Sequence, residues 1–148
     1  MSAARTESWA ARARRVLTES GHRSGQARSA VVALLDAQAC ARSAFEIEDA
    51  LRASGRPVAR ASIYRILDEL ERLRLVQKLQ IGQEMARYEP VRGGDGHHHH
   101  LVCDSCGTVT PFTDEGVEDA IRRLSRRVPM RVAEHEIVLH GSCRSCAG

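Results

Sequence analysis

Aromatic residues are scarce in this chain of 148 residues. Phe, Trp and Tyr together make up 3% of it, whereas hydrophobic residues as a whole make up 43%. A core must then be built from Leu, Val, Ile and Ala, and in so small a protein a bound metal would add stabilisation. The length fits one domain or two small ones.

Long apolar runs are also missing. No stretch approaches the roughly 20 apolar residues that a membrane-spanning helix needs. The first residues, MSAARTESWAARARR, lack the apolar region of a secretory signal. We therefore expect a cytoplasmic protein with no membrane partner. In that reducing compartment, paired cysteines are more often metal ligands than disulfides.

Common enzyme motifs are absent as well. The chain has no nucleophile elbow, phosphate-binding loop or deaminase pattern. HEIVLH at residues 135–140 resembles the zinc-protease motif H-E-x-x-H but has one residue too many, so on a helix its histidines would lie about 140° apart. Its β-branched Ile137 and Val138 favour a strand instead. We predict that the chain is not an enzyme and has no small organic substrate.

Charge is distributed unevenly along the chain. Residues 1–92 carry 16 Lys and Arg against 11 Asp and Glu, whereas residues 93–148 carry 6 against 8. The net charges are therefore +5 and −2, which add to the +3 of the whole chain. A basic first part is typical of a unit that binds a polyanion, although a solvated basic surface has the same composition.

The first part has the pattern of a winged helix. Apolar spacing predicts helices at residues 9–20, 26–37 and 60–73, and Ser43 with Glu46 forms a capping box that starts another helix ending near Gly55. A Gly/Pro turn joins the last two helices into a helix-turn-helix. Short strands at residues 76–81 and 85–88 follow and would form the wing.

The second part mixes strands with one helix. Strands are predicted at residues 99–103, 109–112 and 136–140, with a helix at residues 114–127. RGGDG at residues 92–96 is the best candidate for a linker. We therefore predict an α+β protein with three parts, which are a winged-helix DNA-binding domain at residues 1–91, a hinge at residues 92–96, and a small α/β dimerisation and metal-binding domain at residues 97–148.

Two matching Cys-x-x-Cys pairs predict a structural zinc site. Cys103 and Cys106 form one pair, and Cys143 and Cys146 form the other. Each pair supplies two thiolates at the spacing of a zinc knuckle, and four thiolates complete a tetrahedral site. Packed core thiols or a redox dithiol would not require two matched pairs. Cys40 stands alone at the end of a helix and is interpreted as a packed residue.

Four consecutive histidines lie just before the first cysteine pair, in GDGHHHHLVCDSC at residues 94–106. A purification tag would be terminal, and a solvated loop does not account for the neighbouring cysteines. In a strand, His97 and His99 would face one way and His98 and His100 the other, so the run can serve two sites for Zn²⁺, Fe²⁺ or Mn²⁺. The candidates for further ligands are Glu89, Glu118 and His135, and spacing leaves their assignment open.

These motifs together resemble the ferric uptake regulator family of bacterial metal-dependent repressors. The matching segments are ARASIYRILDELERLRLV, HHHHLVCDSCG and HGSCRSC, and the resemblance covers residues 10–146. It implies a homodimer in which a winged helix is joined by a hinge to a dimerisation domain. It also implies a double-stranded DNA partner, a palindromic operator.

The resemblance assigns roles to particular residues. It implies that Ser62, Tyr64 and Arg65 meet the DNA, that Arg23 reaches toward the minor groove, and that Arg28 reaches a phosphate. It implies one sensing site of His97, His99, Glu118 and His135, and a hinge site that contains Glu89, His98 and His100. The chain has Ala41 where the family often has a histidine, and Pro111 where it often has a carboxylate. Gln80, Glu84 and Cys40 are candidate substitutes in the hinge site.

The segments GVEDAIRRLS and HEIVLHGSCRSC are more similar to the zinc-responsive branch than to the iron-responsive branch of the family. We therefore expect a zinc-responsive repressor of metal-uptake genes, with Zn²⁺ at the structural site and Zn²⁺ or Fe²⁺ at the regulatory sites. An iron-responsive regulator is the alternative, followed by a manganese- or nickel-responsive one. A metal-buffering protein and a metalloenzyme are more distant alternatives, against which the helix-turn-helix argues.

Overall fold

The computed structural model describes residues 7–38, 40–81, 85–92 and 97–148. The chain divides into two compact units, residues 1–94 and residues 95–148. This division falls within the segment 92–96 that the sequence suggests as a linker. Residues 93–96 of that segment lie outside the described residues.

The N-terminal unit contains four helices, and two of them, the first and the third, begin at side-chain caps. Ser8 caps the first, and Ser43 and Glu46 form both hydrogen bonds of the predicted capping box at the third. Gly55 follows the third helix with a φ of 73°, a left-handed conformation that glycine adopts without strain. The helices are α1 (Trp9–Glu19), α2 (Gln26–Ala37), α3 (Ala44–Ala53) and α4 (Arg60–Arg72).

A three-stranded antiparallel sheet completes this unit. Its strands are β1 (Arg42–Ser43), β2 (Val76–Leu79) and β3 (Arg87–Pro90), in the order β1-β3-β2. The second wing strand lies two residues later than predicted, because its register with β2 runs from Val76 opposite Pro90 to Leu79 opposite Arg87. Residues 82–84, in the predicted turn of the wing, lie outside the described residues. Helices and sheet together form the expected winged helix.

The core of the N-terminal unit is almost entirely aliphatic, as the scarcity of aromatics predicts. Tyr88 and Trp9 are its two aromatic members among the described residues, and the Trp9 indole N–H donates to the Leu75 carbonyl over 2.8 Å. The inner face of α4 contributes apolar side chains at helical spacing, Ile63, Ile66, Leu67 and Leu70. Burial of this face fixes the opposite face of α4 toward solvent.

The C-terminal unit consists of one helix and a three-stranded sheet. The strands are β4 (His99–Cys103), β5 (Val109–Phe112) and β6 (Val138–Gly141), in the order β5-β4-β6, with β4 antiparallel to β5 and parallel to β6. Helix α5 (Glu115–Ser125) follows β5 and is capped by Asp114. The first two strands match their predicted bounds, whereas β6 begins two residues later than predicted.

Helix α5 buries none of its residues. Its apolar stripe, Val117, Ile121 and Leu124, has helical spacing, and Leu124 is 50% exposed. Further exposed apolar side chains of this unit are Leu101, Met130, Val132 and Leu139. The unit therefore presents an apolar surface that its own residues do not cover. No helix in the part of the chain that the structure describes is long and apolar enough to cross a membrane.

Candidate metal centres and DNA-binding surface

Four cysteines meet at one end of the C-terminal sheet. Cys103 ends β4, Cys106 lies in the turn that follows, and Cys143 and Cys146 lie in a turn after β6. Parallel pairing of the two strands sets Cys103 opposite Gly141, which brings the two turns together. The four Sγ atoms all lie within 4.8 Å of one another.

The spacing of these sulfurs fits a zinc ion. A tetrahedron with Zn–S bonds of about 2.3 Å has S···S edges of about 3.8 Å, and the Sγ atoms of Cys106 and Cys143 are 3.8 Å apart. A hydrogen bond from the Cys143 N–H lowers the pKa of Cys103 to about 6, whereas the neighbouring sulfurs, Cys143 first, raise the pKa of Cys146 to about 12. Four thiolates at this spacing repel one another unless a cation neutralises them.

Three histidines and a glutamate form a second cluster in the same unit. His97 and His99 lie on one side of β4, Glu118 belongs to α5, and His135 precedes β6. Oxygens of Glu118 lie 2.7 Å from His99 Nε2, 3.1 Å from His135 Nε2 and 3.7 Å from His97 Nε2. The Nε2 atoms of His97 and His135 are 3.2 Å apart. All four donors of this cluster lie within 4.8 Å of one another.

Two members of this cluster, Glu118 and His97, favour the protonation states that metal ligands need. Hydrogen bonding from His99 lowers the pKa of Glu118, so the carboxylate stays charged. Burial lowers the pKa of His97, which keeps the ring neutral and its lone pair available. The Ile137 N–H donates to His99 Nδ1 over 3.3 Å, so the neutral His99 ring carries its proton on Nε2 and donates it to Glu118, and a metal bound at Nε2 would have to displace that proton. In a tetrahedral Zn²⁺ site with nitrogen and oxygen ligands, neighbouring donor atoms are about 3.4 Å apart. The separations of 3.1, 3.2 and 3.7 Å between donor atoms of this cluster are close to that value.

The other two histidines lie on the opposite side of β4. The rings of His98 and His100 are 5.0 Å apart, and His100 Nδ1 lies 4.0 Å from a carboxylate oxygen of Glu136. His97 and His98 precede β4, which begins at His99, yet the rings pair as odd with odd and even with even, the alternation of an extended chain. Glu89, expected in the same site, is buried on β3 of the N-terminal unit, where it accepts a hydrogen bond from the Gln77 amide.

Two positions lack the metal-binding residue that the family often has there, Ala41 and Pro111. Ala41 is buried just before β1, and Pro111 lies opposite His100 in the β4–β5 pair. Of the candidate substitutes, Cys40 is half-buried and Gln80 is exposed. Glu84 lies outside the described residues.

The residues expected to meet DNA share one region of the N-terminal unit. Tyr64 and Arg65 lie on the exposed face of α4, and the Arg65 guanidinium donates to the Ser62 hydroxyl over 3.1 Å. Arg23 is exposed in the segment before α2. Arg28, on α2, pairs with Glu69 of α4 at 2.8 Å, and Arg28, Ser62 and Arg65 line one cleft.

Some residues around the metal centres were not foreseen from the sequence. The Thr108 hydroxyl lies 3.1 Å from Cys106 Sγ, and this contact lowers the pKa of the thiol. Phe112 packs its ring 5.4 Å from that of His99. Thr108 follows Cys-x-x-Cys-Gly directly, so its place in the turn was readable, whereas Phe112 reaches His99 only through the β4–β5 register.

Comparisons with known proteins agree with this architecture. A model of the ferric uptake regulator family matches residues 19–140. The ferric uptake regulation protein of Bacillus subtilis (strain 168) is 30% identical over 124 residues, which are 83% of each chain. That of Legionella pneumophila is 33% identical over 104 residues, which are 70% of this chain and 75% of the relative.

Solved structures of such regulators share the fold. The Helicobacter pylori ferric uptake regulator, whose structure reveals three functional metal-binding sites, is similar with a TM-score of 0.81 and 26% identity, covering 100% of this chain and 98% of that one. The Vibrio cholerae ferric uptake regulator is similar with a TM-score of 0.76 and 25% identity, covering 87% of this chain and 98% of that one.

Replacement of a cysteine tests the four-sulfur centre. Cys103→Ser should remove a zinc ion that resists chelators and lower the thermal stability of the C-terminal unit, because a structural zinc contributes its binding free energy to folding. Zinc analysis after dialysis against a chelator and thermal unfolding measure both effects. Ser105→Ala, an exposed non-ligand in the same turn, is the control and should retain zinc. Equal zinc content in both variants would contradict the assignment.

Removal of one imidazole tests the histidine–glutamate cluster. His135→Ala should weaken binding of the second metal ion by at least about 100-fold, since losing even an outer-shell partner reduces metal affinity by 10–100-fold. Competition with a chromophoric chelator measures this affinity. His140→Ala is the control, because His140 lies outside the cluster and contacts Asp104 at 2.9 Å. If the two variants bind zinc equally, the cluster is not a metal site.

Proposed function

Because the chain belongs to the ferric uptake regulator family, it is a metal-responsive transcription regulator, and we propose that it represses metal-uptake genes in response to zinc. Proteins of this family bind DNA, act as dimers and are regulators rather than enzymes. The observation that carries the proposal is the cluster of His97, His99, Glu118 and His135 in a chain that also contains a winged helix.

Zinc is favoured by the type and spacing of the donors. Three imidazoles and one carboxylate at tetrahedral spacing suit Zn²⁺, whereas Fe²⁺ and Mn²⁺ more often take additional oxygen ligands. We assign a second, structural Zn²⁺ to Cys103, Cys106, Cys143 and Cys146. The second candidate is an iron-responsive regulator, because the relatives from Bacillus subtilis and Legionella pneumophila are ferric uptake regulation proteins.

The proposed DNA-binding set is Arg23, Arg28, Ser62, Tyr64 and Arg65. Helix α4 would enter the major groove, since its apolar face is fixed in the core and its exposed face carries Tyr64 and Arg65. The excess of positive charge on residues 1–92 would attract the phosphates. Arg23, ahead of α2, would reach the neighbouring minor groove.

The protein would act as a homodimer. Its C-terminal unit exposes the apolar side chains Leu101, Leu124, Met130, Val132 and Leu139, and Val117 and Ile121 of α5 are half-buried beside them in the apolar stripe of that helix. A second copy that covers this surface would bury it and would set two winged helices on the half-sites of a palindrome, about 34 Å apart. Sedimentation at the 16.3 kDa of a single chain, with metal and DNA present, would contradict this arrangement.

A hinge site would connect metal to DNA binding. We propose that Glu89, His98 and His100 contribute to it, supported by the alternation that directs His98 and His100 away from the other cluster. Metal there would restrict each winged helix to the geometry that fits the operator. Without metal that geometry would be a minor population, and the apparent affinity for DNA would fall by the same fraction.

DNA binding under buffered metal tests the proposed function. The zinc-loaded full-length chain should bind a duplex selected from a random-sequence library about 5–150-fold more tightly than the metal-free chain, the usual range of allosteric coupling. Fluorescence anisotropy in zinc buffers, and in anaerobic Fe²⁺ buffers, gives both affinities. His98→Ala should lose most of the response while keeping its structural zinc. A response to iron alone would replace zinc with the second candidate, and a response to neither would reject metal regulation.

Loss of one guanidinium on α4 tests the DNA-binding surface. Arg65→Ala should weaken operator binding by about 1–3 kcal/mol at unchanged metal content, as expected for an arginine that reads a base. Arg72→Ala is the matched control, because Arg72 is exposed at the last position of the same helix. Equal affinities for the two variants across a salt titration would place α4 outside the interface.

A further inference from the structure

The guanidinium of Arg28 is engaged within the N-terminal unit. Its Nη2 donates to a carboxylate oxygen of Glu69 on α4 over 2.8 Å, and its Nη1 donates to the backbone carbonyl of Arg23. The side chains of Arg28 and Glu69 are only 21% and 22% exposed, so water screens this pair less than a surface pair. Arg28 therefore bridges α4 to the segment that carries Arg23.

That segment has few other attachments. Gly25 begins α2 without any side-chain cap, and Arg23 itself is exposed. On its N-terminal side, the His22 N–H donates to the Leu17 carbonyl over 2.9 Å. Within the described residues, the bond from Arg28 is the side-chain hydrogen bond that holds the Arg23 backbone. His22, the residue before Arg23, has its Nδ1 3.8 Å from a carboxylate oxygen of Glu69, beyond hydrogen-bond distance. Glu69 is therefore the point on α4 to which this segment is attached, mainly through Arg28.

Glu69 is an unusual residue for its surroundings. One cleft of about 230 Å³ is lined by Arg14, His22, Arg23 and Arg28 together with uncharged residues. A second, of about 250 Å³, is lined by Arg28, Ser62, Arg65 and Glu69 together with uncharged residues. Glu69 is the one acidic side chain among the described residues that line either cleft. A carboxylate beside a surface proposed to bind DNA repels phosphate, so its presence requires a compensating role.

We propose that Glu69 is a positioning residue for DNA recognition, which acts through Arg28 to hold Arg23 at a fixed place relative to α4. This inference rests on the proposed DNA-binding function. A planar guanidinium suits the task, because it can donate to a carboxylate and a carbonyl in fixed directions at once. The bridge would align the residue that reaches the minor groove with the helix in the major groove before DNA arrives. Such preorganisation favours the operator, where both contacts are made, over other sequences.

A charge-balanced double variant tests the bridge. Arg28→Ala combined with Glu69→Gln removes one positive and one negative charge, so the local net charge is unchanged. In the zinc-loaded full-length protein, the double variant should bind the library-selected duplex about tenfold more weakly, a usual coupling within one hydrogen-bonded network. Because Arg28 belongs to the proposed DNA-binding set, the affinity for a scrambled duplex of the same length should also fall, but by a smaller factor, so the ratio of the two affinities should fall.

Two further variants guard against trivial causes. Arg15→Ala with Glu7→Gln removes an exposed pair of the same kind, 3.0 Å apart on and just before α1, and should leave both affinities unchanged. Arg28→Lys keeps the charge but not the planar fork, so it should also lose operator affinity. It replaces the double variant if thermal unfolding shows that the latter does not fold.

The possible results separate the alternatives. Operator affinity within about twofold of the unmodified protein would overturn the bridge. Weakening of both duplexes by the same factor, with a salt slope shallower by about 0.9, would show instead that Arg28 acts only as a phosphate contact, and would overturn the bridge. If the unmodified zinc-loaded protein binds neither duplex, the proposed function fails and the bridge fails with it. If the unmodified zinc-loaded protein binds the selected duplex and the variants behave as described, the proposed function and the bridge are both supported.

Discussion

Parallel pairing of β6 with β4 is the interaction on which the C-terminal unit depends. It sets Cys103 opposite Gly141 and so brings the two cysteine turns together, and it places His135 beside the histidines of β4. Few hydrocarbon contacts support this pairing, since α5 buries none of its residues and Val102 is the main buried aliphatic side chain among the described residues of the unit. Donor atoms therefore occupy positions that aliphatic side chains fill in most small domains. A cation among the sulfurs converts their mutual repulsion into a cross-link between the ends of two strands.

Alternation along the extended chain would let the histidine run serve the two proposed metal sites. Adjacent residues of a strand point to opposite faces, so four histidines in sequence supply two pairs that cannot share one ion. One pair lies against Glu118 and His135 within the C-terminal unit, and the rings of the other pair lie together on the far side. A helical run would have scattered the four rings around the axis. The repeat thus has a structural reason in the geometry of β4.

The sequence predicted the elements with strong local signals and missed those without them. The ends of α3 were foreseen because Ser43, Glu46 and Gly55 act on the backbone nearby, and the limits of α2 were foreseen from its apolar stripe. β1 was missed, since two residues show no period, and β3 was misplaced, since pairing with β2 determines its limits. The ten candidate ligands of the C-terminal unit were readable as residue types. Which carboxylate accompanies His99 could be taken from family resemblance but not from spacing. The Arg28–Glu69 bridge joins residues 41 positions apart, and no local pattern announces it.

The net charge of this protein gives it little means of binding DNA differently in its metal-bound and metal-free states. The excess of positive charge on residues 1–92 is carried by arginines and one lysine, which stay protonated whether or not a metal is bound. Attraction to any DNA therefore persists in the metal-free protein, and a metal response must come from the arrangement of the contacts. Coupling of 1–3 kcal/mol is the usual extent of such control, and by linkage DNA tightens metal binding by the same factor. A metal at the hinge would restrain the position of the winged helix. The more rigid the winged helix is internally, the more completely that restraint would reach the residues that contact DNA. The pairing of Glu69 with Arg28 would remove internal freedom between the two elements proposed to contact DNA, so that a hinge would have only one rigid body to orient.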